Sequence, residues 1–165
     1  MMSIWQFTFD LIPAACAFKY DAPLIRLSRD EMNDISLAIP KVNLDIIVNK
    51  FQTILPACKS WSRDLLIFGD EDHTNMKIWL DEESIDSITF QLSAYENAQD
   101  ALIYAICHTA ENLNCVFVKR DGTIFQPIIF TLGRMMLQSR AARFVRDPEG
   151  FLKALGTSVE EPSVI

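Results

Sequence analysis

Asp64–Gly69 (DLLIFG), Met76–Asp81 (MKIWLD) and Ile85–Ser93 (IDSITFQLS) follow one another with only Asp70–Asn75 and Glu82–Ser84 between them. Each run is short, rich in apolar and β-branched residues and bounded by polar turn residues, which predicts a strand. Connections this short make adjacent antiparallel pairing the natural topology. The stretch is a three-stranded meander. Alternation assigns its faces: if Met76, Ile78 and Leu80 point to the core, Lys77, Trp79 and Asp81 share the opposite face. There the next strand offers Ser87, Thr89 and Gln91.

On the N-terminal side, residues 3–12 alternate as well, with Trp5, Phe7, Phe9 and Leu11 against Gln6, Thr8 and Asp10, a strand with one buried face. Ser28 and Glu31 form a capping-box pattern for a short helix to about residue 38. Leu44, Ile47, Val48, Phe51, Ile54 and Leu55 recur at helical spacing before Pro56. On the C-terminal side, a helix is expected over about 98–113, with Asn97 as its N-cap. Two strands flank Arg120-Asp121-Gly122, since Asp-Gly is a strong hairpin signal. Helix is expected again from Pro127 to about 145, then from Pro148 to about 155.

The order β, αα, βββ, α, ββ, αα predicts an α+β fold: a mostly antiparallel sheet of about six short strands with helices packed on one face. At 165 residues, half of them hydrophobic, the chain can bury a core without a metal or disulfide staple. No repeat or linker divides it, so one domain is expected over 1–157, with a frayed tail over 158–165.

The net charge is −7, from 22 acids and 15 bases. That argues against sequence-independent nucleic-acid binding, which relies on cations neutralising phosphates, and against anionic membrane surfaces. No apolar run approaches the roughly 18 residues needed to span a bilayer. The apolar N-terminus lacks a cationic start, and Asp10 and Pro13 interrupt it, unlike a secretory signal. Cys16, Cys58, Cys107 and Cys115 show no metal or redox spacing and read as small hydrophobes in a reducing compartment. A cytoplasmic protein is expected.

Catalytic signatures are missing. Five glycines leave no phosphate-cradling loop, no G-x-S-x-G elbow appears, and no cofactor motif is present. His108 lies next to Cys107 on a helix, where neighbours diverge, and reads as structural. Asp70, Asp72 and His73 carry the chemistry of a divalent-cation site and hence of a small metal-dependent hydrolase. Their spacing matches no calcium loop or zinc pair, and a solvated turn explains the same residues.

Charge position is more informative than total charge. Residues 1–60 balance, with six bases and six acids, and residues 101–165 carry seven bases and six acids. Residues 61–100 carry ten acids against only Arg63 and Lys77. The acids gather at the two meander turns, Asp70, Glu71 and Asp72 in the first and Asp81, Glu82 and Glu83 in the second. Successive hairpin turns lie at opposite ends of a sheet, so the two groups need not form one patch. Trp79 among polar neighbours is the residue type that anchors interfaces. A covering helix or loop would instead make it ordinary core. Arg134, Arg140, Arg143 and Arg146 supply the opposite charge near the end, with phosphate binding a minor reading.

Ser60–Asn75 (SWSRDLLIFGDEDHTN) and Ser139–Leu155 (SRAARFVRDPEGFLKAL), taken with size, acidity and the helix-backed sheet, resemble the immunity proteins of bacterial polymorphic toxin systems. The resemblance is one of character over most of the chain and has no diagnostic motif, so no residue role is carried over. It implies a non-enzymatic inhibitor of a cognate basic toxin, with nucleases a frequent target. On this reading Asp70, Glu71 and Asp72, or Asp81, Glu82 and Glu83, meet toxin Lys and Arg side chains, and Trp79 desolvates the contact centre. A homodimer, or a structural subunit with the Trp79 face buried in an assembly, is also compatible with the sequence.

Overall fold

In the computed structural model, which describes residues 3–19, 22–96 and 100–157, the meander is present with the expected faces. From the N-terminus, β1 (Gln6–Pro13) passes through a single 3-10 turn to β2 (Phe18–Lys19) and β3 (Ala22–Pro23), which pair with each other. Helix α1 (Arg29–Asn33) starts with the anticipated capping box: Ser28 Oγ accepts from the Glu31 amide and Glu31 from the Ser28 amide. β4 (Ile39–Pro40) and α2 (Leu44–Phe51) precede β5 (Ala57–Cys58), β6 (Leu65–Gly69), β7 (Asn75–Leu80) and β8 (Ser84–Ser93). Then come α3 (Asp100–Asn112), β9 (Cys115–Lys119), β10 (Ile124–Phe125), α4 (Ile129–Leu137), α5 (Arg140–Arg146) and α6 (Pro148–Thr157). The fold is α+β.

The single helix expected from Pro127 to 145 is two. Ser139 ends one and starts the next: its hydroxyl donates to the Met136 carbonyl at 2.6 Å and accepts from the Ala142 amide at 3.1 Å. The expected N-cap Asn97 and the expected frayed tail over 158–165 lie outside the described residues.

The main sheet runs β10-β9-β1-β8-β7-β6-β5, with β4 on the end of β8, and every pairing is antiparallel. All six strands read from sequence are in it; the added ones, β4 and β5, are two residues long. The first strand sits in the middle, paired with β8 over Gln6–Asp10 and with β9 over Phe9–Pro13. A register shift at Trp79/Leu80 places Ile85 on the same face as Ile88, Phe90 and Leu92.

That face carries Phe7, Phe9, Leu11, Met76, Ile78 and Phe117, covered by Ile47 and Phe51 of α2, Ile103 and Ile106 of α3 and Leu132 of α4. Phe9 is the hub, 5.5 Å from Phe90 and 5.0 Å from Phe117 between ring centroids. Burying each such ring contributes about 1.5–3 kcal/mol. A smaller cluster of Ile12, Leu27, Val116 and Val118 packs the segment after β3 onto the other face at the β9 side.

The single-faced reading of β1 is corrected by the structure. Gln6 and Thr8 are 4% exposed, as buried as the core residue Phe7 between them. They lie in one polar layer with Gln91, Ser93, Asn75 and Lys77, all buried. The reason is tertiary: the acidic turn after β6 folds back over this layer.

Candidate functional site

The turn between β6 and β7 is built by its own backbone. Gly69 takes a φ of +91°, which a side chain would resist, and a Cβ there would stand 2.3 Å from the Thr74 carbonyl oxygen. The Asp70 amide donates to Thr74 O at 3.0 Å, and the Asp72 amide donates to Asp70 Oδ1 at 2.9 Å. Asp side chains favour such closures because they mimic a backbone acceptor.

Side-chain hydrogen bonds then hold the turn down. Trp5 Nε1 donates to Asp72 O at 2.8 Å, and Gln6 Nε2 donates to Glu71 O at 2.9 Å and His73 O at 2.6 Å. Asn75 Nδ2 donates to Asp70 O at 3.1 Å. With its carbonyls tied inward, the turn exposes the side chains of Asp70 and Asp72 to solvent.

Glu71 is the exception, and its expected outward display is corrected. It is half-buried; its Oε1 accepts from Trp61 Nε1 at 3.0 Å and lies 4.0 Å from Lys77 Nζ. Lys77 is 8% exposed, and a buried ammonium requires a counter-charge. Trp79 is half-buried beside it, and its ring and that of Trp61 pack edge to face at a centroid distance of 5.4 Å. Trp79 is therefore one member of an aromatic pair rather than a lone anchor.

Asp81, Glu82 and Glu83 are exposed in the following turn. Asp81 Oδ1 accepts from the Glu82 amide at 2.8 Å, and Lys41 Nζ donates to Glu82 O at 2.8 Å. The six residues of β7 span about 20 Å, so the two acidic turns form separate patches. Among the described residues the ion pairs are Arg26–Asp121, His73–Glu96, Lys77–Glu71, Lys119–Asp121 and Arg120–Asp10. They leave the carboxylates of Asp70, Asp72, Asp81, Glu82 and Glu83 without an ion pair among the described residues.

Asp70, Asp72 and His73 are not gathered as ligands. Asp70 is spent on the turn, and His73 Nδ1 faces Glu96 Oε1 at 3.9 Å. Among the described residues no three His, Cys, Asp or Glu side chains are placed to hold a metal ion. The turn instead rims an open cleft of about 640 Å³ that also carries Lys59, His73 and Glu96. His108 is occupied: its ring stacks on Tyr104 and its Nδ1 accepts from Lys50 Nζ at 2.8 Å. The neighbouring Cys107 is buried, and burial pushes its thiol up to about 11, with Glu111 adding to the effect. No helix among the described residues is long and apolar enough to cross a membrane.

Compared with protein-family models, curated proteins and solved structures, the chain matches none significantly.

Trp61, Trp5 and Gln6 escaped the sequence reading of the site. Trp61 precedes β6 in a loop, where no periodicity applies. Its signal was composition, a tryptophan flanked by Ser60, Ser62 and Arg63. Trp5 and Gln6 had no signal, since they meet the turn from more than sixty residues away.

Proposed function

We propose that this chain is a non-enzymatic binding protein that captures a basic protein surface in the cytoplasm, as an immunity protein blocks its cognate toxin. The observation that supports the reading is the placement of charge about the Trp61–Trp79 pair. Exposed carboxylates stand at both ends of β7, and among the described residues the carboxylates of Asp70, Asp72, Asp81, Glu82 and Glu83 form no ion pair. Acidic rims attract basic surfaces and speed their encounter, while an aromatic centre excludes water from the contact. A nuclease toxin with a basic cleft has the complementary charge, and an acidic inhibitor occupies it in place of a polyanionic substrate.

The test uses the product of the neighbouring gene, purified with this chain, and measures association at low and physiological salt. Asp70→Lys/Asp72→Lys or Glu82→Lys/Glu83→Lys should slow association about tenfold at low salt and less at high salt. Trp61→Ala should speed dissociation. Association that both charge reversals leave unchanged at low salt would remove the mechanism.

A further inference from the structure

One cavity in this acidic chain collects cations. β1 is paired with β9 only from Phe9 onward, so Gln6–Thr8 have no strand neighbour on that side, and α5 packs into the gap. The notch holds about 400 Å³, within the range of small-molecule sites. Lys119, Arg120, Arg140 and Arg143 line it, with Asp121 the one acid of the lining.

The lining charges are unevenly spent. Asp121 already accepts from the Thr123 amide at 2.9 Å and pairs with Lys119 at 3.6 Å and Arg26 at 3.9 Å. Arg120 reaches Asp10 at 3.1 Å, and the Arg140 guanidinium lies over the Phe151 ring at 5.7 Å. Arg143 has no carboxylate in ion-pairing range among the described residues. The notch is left with a surplus of positive charge.

A second, independent observation concerns a residue of the same lining. Thr8 lines the notch and is 4% exposed, and among the described residues its hydroxyl has no hydrogen-bond partner. Buried hydroxyls are normally satisfied, and one that is not needs an explanation such as a missing ligand. Ile4 and Phe7 form apolar wall beside it, which suits an organic group rather than a bare ion.

We infer that the notch binds a small organic phosphate, its oxygens met by Arg143 and Lys119 and by the Thr8 hydroxyl. Guanidinium and phosphate match in geometry as well as charge, which favours phosphate over a single carboxylate. The site is distinct from the acidic turns and does not depend on their role.

The experiment titrates the full chain, labelled with nitrogen-15, with AMP, glucose 6-phosphate, inorganic phosphate and citrate in about 50 mM salt. The expected result is saturable amide shifts at Gln6–Thr8, Lys119–Asp121 and Gln138–Arg143 with at least one organic phosphate, about tenfold tighter than with inorganic phosphate or citrate. Arg143→Gln should weaken that binding about tenfold. Thr8→Val should weaken it about threefold without lowering the melting temperature, because it also removes an unsatisfied buried hydroxyl. No saturable shift with either organic phosphate up to about 10 mM overturns the site. So does undiminished binding by Arg143→Gln, while citrate binding as tightly overturns the phosphate assignment.

Discussion

Trp61 stands edge-on to Trp79, ring centroids 5.4 Å apart and planes at 68°, and donates its indole N–H to Glu71. One side chain from the loop before β6 thus touches the face of β7 and the carboxylate that neutralises Lys77. Edge-to-face packing of this kind is favoured by the ring quadrupoles. It also places an aromatic surface, 66% exposed at Trp61, between the two acidic turns.

Trp61→Ala should therefore lower stability by about 1 kcal/mol in urea unfolding. Compared with Trp61→Phe, which also removes the Trp61 emission, it should emit at longer wavelength as Trp79 hydrates. Trp61→Phe should keep most of the stability. Equal emission maxima for Trp61→Ala and Trp61→Phe would show that the pair does not shield Trp79.

Acid should act on Asp10 and Asp121 in opposite senses. Burial raises the Asp10 carboxyl, and Arg120 with the Thr89 hydroxyl pulls it back only in part. The folded state then holds more protons at this site, so its contribution to stability grows as pH falls through the raised value. For Asp121, burial also raises the carboxyl, but the Thr123 hydrogen bonds with Lys119 and Arg26 outweigh it and hold it below 3.8. Its contribution is complete above that value and is lost as pH falls through the folded one. Urea midpoints measured from about pH 7 to pH 3 should show the native chain gaining on Asp10→Asn and losing its lead over Asp121→Asn.

Gly69→Ala should destabilise the protein by about 2 kcal/mol or more, because a Cβ would collide with the Thr74 carbonyl at a φ of +91°. Amide exchange at Asp70 and Asp72 should quicken as the turn loosens. Gly133→Ala is the control: its Cβ would meet nothing within 4 Å, and in a helix it should add about 0.5–1 kcal/mol.

Thiol labelling should separate the four cysteines by burial. Cys58 is exposed and should react first in the folded protein, followed by the partly buried Cys16. Cys107 and Cys115 are buried, and burial pushes both thiols up to about 11, so neither should react before unfolding. Fast labelling of all four in the native state would contradict the packing around α3 and β9.

What could be read from residues alone was what neighbours along the chain decide. Met76 and Ile78 alternate with Lys77 and Trp79 because successive strand residues face opposite ways. Asp121-Gly122 turns because glycine tolerates a φ of +91°, and Ser28 caps α1 because its partner Glu31 is three residues on. The acid excess of residues 61–100 is likewise a property of composition.

Position in space belonged to the tertiary structure. That β1 lies between β8 and β9, that Trp5 and Gln6 clamp a turn formed by residues 70–74, and that Lys119 and Arg143 line one notch are all pairings across long loops. Such contacts are selected by the packing of the whole core against the entropy of closing those loops, and no local period encodes that balance. The same balance set the half-buried Glu71 against Lys77 while its neighbours Asp70 and Asp72, identical in charge, were left facing water.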